Sequence, residues 1–222
     1  MNTPLTIDVL SDVVCPWCLI GKRRLEQALT EYAHRHPDRP APLVRWHPFQ
    51  LNPDMPEGGM SRADYVRQKF GDRADTVYDR VKAVGRTLDI PFAIDTIARQ
   101  PNTAAAHSLI GLAEVGEQQQ RLVDALFQAY FLEGVDLTQR SELERLAMGV
   151  GLSAEAVQTC LASEEARQQV QASDERARQM GVQGVPFFIF NNQVGVSGAH
   201  EPETLLQAME QSLQPPAQPA SA

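Results

Sequence analysis

Two cysteines two residues apart, Cys15 and Cys18, stand where a strand-like segment gives way to a helix-like one. Thr6 to Leu10 alternate and include β-branched residues, which predicts a short strand. Pro16 suits the first turn of a helix, because the missing N–H has no partner there in any case. Leu25, Ala28, Leu29 and Tyr32 recur at i, i+3, i+4 and i+7, so the helix continues to about Ala33 with one buried face. Cys18 lies seven residues before Leu25 and shares that face. Pro37, Pro40 and Pro42 break the chain, and Leu43 to Phe49 reads as a second strand. Strand, helix, strand in this span is a βαβ unit, usually parallel and right-handed.

The position of the cysteines carries chemistry. A helix N-terminus presents free N–H groups and roughly half a positive charge. A thiolate placed there is stabilised. Cys15 sits at that end and Cys18 one turn deeper, which predicts one exposed nucleophile and one shielded partner. Cys15 would attack a substrate disulfide and Cys18 would resolve the mixed disulfide. Pro16 and Trp17 between them should tune the reduction potential. A CxxC that opens the helix of a βαβ unit reads as a thioredoxin-like redox motif. The competing readings are a simple structural thiol pair and half of a zinc site, with His34 and His36 following. Zinc sites usually close with a second spaced pair, and H-x-H is not one, so no metal is expected.

The rest of the 222-residue chain fits a soluble globular protein. Apolar residues make up 43% and charged residues 22%, which excludes a disordered or collagen-like chain. The net charge of −8 lacks the footprint of a nucleic-acid binder. The N-terminus carries no secretory signal pattern, and no stretch approaches the ~18 apolar residues of a membrane helix. With three cysteines, a cytoplasmic location without membrane attachment is expected. From about Ser61 to Met180 helical patterns dominate, with no convincing strand. Pro101-Asn102-Thr103 offers a cap for a helix through His107, and Ser141-Glu142-Leu143-Glu144 reads as a capping box. Cys160 falls with Val157 and Leu161 on an apolar face, as a buried small hydrophobe. Strand character returns at Val185 to Phe190, with a turn at Asn191-Asn192 and an antiparallel partner at Val194 to Ser197. Glu203 to Leu213 is a closing amphipathic helix. The expected fold is therefore α/β: β-α-β, a helical insertion, then β-β-α around one mixed sheet. Residues 1–55 and 182–213 form the thioredoxin-like part, 56–181 the helical insertion and 214–222 a flexible tail.

A second element strengthens the redox reading. In a thioredoxin fold a proline opening the third strand faces the CxxC, and here Gly184-Val185-Pro186 precedes an aromatic strand. The backbone before it can pair with a bound peptide. With these elements in order the chain resembles the DsbA-like thioredoxin superfamily, most closely its FrnE-like subgroup. The matching stretches are Ser-Asp-Val-Val-Cys-Pro-Trp-Cys (11–18), Ile-Gly-Lys-Arg-Arg-Leu-Glu (20–26), Pro-Phe-Gln-Leu-Asn-Pro (48–53) and Asn-Thr with Ala-His (102–107). Ala-Tyr-Phe-Leu-Glu-Gly (129–134), Gly-Val-Gln-Gly-Val-Pro-Phe-Phe (181–188) and Ser-Gly-Ala (197–199) complete the set. The resemblance implies a cis Val185–Pro186 bond and thiol–disulfide oxidoreductase or isomerase activity through Cys15 and Cys18. Its partners would be protein or small-molecule thiols and disulfides. Val185, Pro186, Asn102 and His107 would face the substrate.

One departure stands out. Such proteins often carry a buried acid six residues before the nucleophilic cysteine, and here that position is Val9. Asp8 is adjacent, but alternation points it to the other face, which leaves the proton acceptor for Cys18 unassigned. In a reducing compartment isomerase or reductase work is favoured over net oxidation. The same superfamily holds kappa-class glutathione transferases and 2-hydroxychromene-2-carboxylate isomerases, which resemble a version with serine at the position of Cys15. By that resemblance Asn52, Val185 and Ser197 would contact glutathione as a co-substrate, with no tightly bound cofactor. Asn52 and Ser197 read more simply as a turn residue and a strand end. A third reading is a chaperone-like protein using an apolar groove of Trp17, Phe49, Phe187 and Phe188. The helical block also allows a homodimer.

Overall fold

The computed structural model describes residues 4–214, without the side chain of Ala74. All of the expected tail except Gln214 lies outside the described residues. Strand β1 (Thr6–Ser11) leads to helix α1 (Pro16–Arg35) and strand β2 (Leu43–Pro48). A block of seven helices follows: α2 (Arg62–Phe70), α3 (Ala74–Arg86), α4 (Ala104–Leu112), α5 (Glu117–Phe131), α6 (Arg140–Gly149), α7 (Ala154–Ala162) and α8 (Glu164–Gln179). Two two-residue strands, β3 (Met60–Ser61) and β4 (Arg99–Gln100), pair antiparallel within this region. The chain ends in β5 (Phe187–Phe190), β6 (Val194–Ser197) and α9 (Pro202–Gln211).

The main sheet has the order β2-β1-β5-β6. β1 and β2 run parallel, with Asp8 opposite Arg45, as a βαβ unit requires. β5 is antiparallel to both β1 and β6. Asn191 and Asn192 turn the last hairpin at φ 49° and 54°, the left-handed pair that a tight two-residue turn needs. Alternation then sorts the side chains. Ile7, Val9, Val44, Trp46, Phe188 and Phe190 are buried in the large core, on the face that packs α1 and α9. Leu10 on the other face joins Phe49, Ala177 and Val182, with Phe187 and Ile189 at its margin. The end of α8 thus covers the second face, and helices lie on both sides.

The helical block is tied to the sheet through polar atoms. Edge strand β2 would otherwise leave its N–H groups open. Gln119 of α5 accepts the Trp46 N–H at 2.9 Å and donates to the Ile110 carbonyl at 3.1 Å. Lys22 of α1, almost fully buried, pairs with Glu26 and reaches Asp124 of α5 at 2.6 Å.

Two expectations for the middle of the chain are corrected. The β3–β4 pair was not expected, because two-residue strands carry no alternation to read. Gly59, at φ +65°, lets the backbone come against the Gln100 carbonyl where a side chain would not fit. The capping box at Ser141 does not form: α6 starts at Arg140, with Gln139 as its N-cap. Asp136 explains this. Its carboxylate accepts from the Thr138 N–H at 2.9 Å and from Gln139 Nε2 at 3.1 Å, which folds a turn that starts the helix early. Ser61, Ser153 and Ser163 do cap α2, α7 and α8 with their side chains, each contribution being about 1 kcal/mol.

Candidate active site

The loop between β1 and α1 builds the dithiol. Asp12 accepts the Cys15 N–H on its main-chain oxygen at 3.0 Å, which closes a turn after β1. Cys15 is then the N-cap of α1 in extended conformation, with Pro16 at the first helical position. Its carbonyl accepts the N–H groups of Cys18 at 2.9 Å and Leu19 at 3.4 Å. No acidic side chain stands in the first turn, so the positive end of the helix dipole is not offset there.

Both cysteines are reduced and covered. Cys15 is 4% exposed and Cys18 1%. The expected exposed nucleophile is therefore corrected: Cys15 is nearly as shielded as its partner. The segment before β5 covers it. The Cys15 thiol donates to the Val185 carbonyl oxygen at 3.5 Å, and the Val185–Pro186 peptide bond is cis. Burial pushes the Cys18 thiol well above the ordinary thiol range, and its contact with Cys15 adds to this. The Ser11 hydroxyl and the Asp12 main chain oppose the rise without cancelling it. Burial thus favours the protonated form of Cys18.

The remaining expected residues divide. Trp17 is half-buried, with the Arg80 guanidinium of α3 5.6 Å from its ring centre. His107 of α4 is buried with its Nε2 3.4 Å from Oδ1 of Asp12, the residue whose main-chain oxygen holds the Cys15 N–H. Asn102 is occupied elsewhere: its Nδ2 donates to the Met55 carbonyl at 2.6 Å, and its Oδ1 accepts the Ala104 N–H at 2.9 Å. It meets the first N–H of α4, whose N-cap is Thr103, and braces the loop after β2. Asn52 donates to the Tyr65 hydroxyl at 3.3 Å and lines a cavity of about 440 Å³ with Pro53, Tyr65 and Lys69. Ser197 is exposed at the end of β6, opposite Phe187. The expected groove of four aromatics does not form, because Phe49 and Phe188 are core residues. Cys160 is half-buried and borders a cavity rather than lying inside the core. Among the described residues no group of three His, Cys, Asp or Glu side chains is placed to hold a metal ion.

One residue was missed. Asp12 is fully buried, and its Oδ2 accepts the Leu51 N–H at 2.7 Å. The signal was present in the sequence, since a lone carboxylate in the apolar run from Val9 to Val14 rarely lies buried without a purpose.

Comparison with known proteins places the fold. The DSBA-like thioredoxin domain family matches residues 6–210. The probable DsbA oxidoreductase SCO1869 from Streptomyces coelicolor is 30% identical, with a TM-score of 0.83 over 98% of this chain and 94% of that one. The cytosolic disulfide reductase DsbM from Pseudomonas aeruginosa, solved with GSH, shares the fold at 20% identity and TM-score 0.59, over 93% of this chain and 95% of that one. A 2-hydroxychromene-2-carboxylate isomerase shares it at 16% identity and TM-score 0.71, with coverage of 93% and 95%. A family match across nine-tenths of the sequence, over a dithiol built at a helix start, makes this chain a member of the DSBA-like thioredoxin domain family.

Proposed function

We propose that the protein is a thiol–disulfide oxidoreductase or isomerase in which Cys15 attacks a substrate disulfide and Cys18 resolves the mixed disulfide. One observation carries this reading: Cys15 caps α1 with its sulfur 3.5 Å from the Val185 carbonyl, while Cys18 lies one turn deeper in contact with it. Family membership supports the reaction class. Pro16 and Trp17 tune the pair, and Val185 and Pro186 form the edge against which a peptide lies. In a cytoplasmic location the direction is reduction or isomerisation, with glutathione as co-substrate. The test is insulin reduction by the full chain and by Cys15→Ser. Equal rates would remove the proposal.

A second reading, glutathione-dependent isomerisation, draws on the likeness to the 2-hydroxychromene-2-carboxylate isomerase and to DsbM with GSH. The intact cysteine pair favours disulfide exchange. Calorimetry with glutathione separates the two: saturable heat that persists in the double cysteine variant would favour the second.

A further inference from the structure

Asp12 is held on several sides. Its main-chain oxygen bonds the Cys15 N–H, its main chain lies near enough to the Cys18 sulfur to favour the thiolate, and its Oδ2 bonds the Leu51 N–H. Its other carboxylate oxygen, Oδ1, is buried without a hydrogen-bond partner. His107 Nε2, 3.4 Å away, is equally buried and also lacks one. Two facing buried polar atoms, each without a hydrogen-bond partner, make a costly arrangement that a hydrogen bond between them would relieve. His107 also borders a cavity of about 680 Å³ between α4, α7 and α8. Ser108, Thr159 and Gln169 supply polar groups to its wall, and half-exposed Leu112 marks its mouth.

The geometry points to Asp12 and His107 as the acid–base pair of the resolving step, a proposal that rests on the dithiol reading above. In that step the Cys18 S–H bond breaks and its proton passes to the pair. The sulfur's electron pair forms the bond to Cys15 Sγ, and the bond between Cys15 and the substrate sulfur breaks. The substrate leaves as a thiolate and takes a proton from water. The protein dithiol is oxidised, and the substrate disulfide ends as two thiols. The proton on the pair returns to solvent through the cavity beside His107. Ionisable groups around the pair include Cys15 at the N-cap of α1, Cys18 in its first turn, Glu155 and Cys160 of α7 across the cavity from His107, and Tyr130 on α5, which feels the Asp12 charge. Behind Tyr130 stand Arg62 and Tyr65 on α2 and Tyr78 on α3. Asp174 and Arg178 of α8 hold Gln50, next to Leu51.

Stopped-flow reaction with 5,5′-dithiobis(2-nitrobenzoate) tests this in the reduced full chain carrying Cys160→Ser. The first thionitrobenzoate release reports attack by Cys15, and the second reports resolution by Cys18. Asp12→Asn should slow the second release by about 10²-fold, the size of a general-base contribution. The first release should be spared. His107→Gln should move the pH at which the second release is half-maximal. A second release that keeps the parent rate and pH profile in Asp12→Asn overturns the proposal and leaves the dithiol reading intact. Should Asp12→Asn not fold, an unchanged pH profile in His107→Gln overturns it. If the parent protein shows no second release, the dithiol reading itself falls, and the proposal with it.

Discussion

A Cβ on Gly21 would stand 2.8 Å from Pro186 Cγ and 3.2 Å from Phe188 Cζ. The second turn of α1 therefore rests directly on the proline that follows Val185, and glycine at this position lets the Val185 carbonyl reach Cys15. Gly21→Ala should destabilise the protein by about 1–2 kcal/mol, since overpacking typically costs 1–3 kcal/mol and alanine returns up to ~1 kcal/mol of helix propensity. Insulin reduction should fall with it. Thermal unfolding decides: a raised Tm would mean that Pro186 gives way without cost.

The two cysteines should be separable by trapping. Cys18→Ser should accumulate a mixed disulfide between Cys15 and substrate, visible by mass spectrometry of the intact protein under non-reducing conditions. Cys15→Ser should accumulate none. The opposite pattern would reverse the assigned roles.

Asp8 predicts a pH dependence of stability. Its burial alone would raise its pKa, but hydrogen bonds from Arg45 and His47, at 2.7 and 2.6 Å, outweigh that and hold it below the usual carboxylate range. A depressed folded-state value means that the contribution is complete above the ordinary carboxylate range, and it is lost as pH falls through the lower folded value. Asp8→Asn should cost about 1–3 kcal/mol at pH 7, as for a buried hydrogen-bonded charge. The gap to wild type should close in strong acid. Urea unfolding at a series of pH values reads it, and a gap independent of pH would refute the assignment.

Cys160 should be a slow thiol. Burial pushes it above the ordinary thiol range, so its alkylation should stay weak at neutral pH and grow in alkali. Cys160→Ser should reduce insulin at the wild-type rate. A marked loss of turnover would mean that the Cys160 thiol itself takes part in the exchange.

Asn102 should matter to stability first. Its side chain holds both the Met55 carbonyl and the Ala104 N–H. Asn102→Ala leaves both unmet at a cost of about 1–3 kcal/mol. Thermal unfolding should show the loss, and an unchanged Tm would return Asn102 to the list of substrate contacts.

The sequence alone determined the local pieces. Period-2 alternation at Thr6 to Leu10, the seven-residue step from Cys18 to Leu25 and the Asn191-Asn192 turn each act over a few residues, so one sequence suffices to read them. Pro16 and the CxxC likewise marked the helix start and its chemistry. Tertiary structure decided what surrounds the thiols. Cys15 became buried because a segment 170 residues away folds over it. Asp12 met His107 only because α4 packs across the end of β2. Asn102 turned from the cleft to the loop after β2, and Asp136 rather than Ser141 set the start of α6. Burial and hydrogen-bond partnership depend on which distant elements close over a residue, and local periodicity carries no record of that.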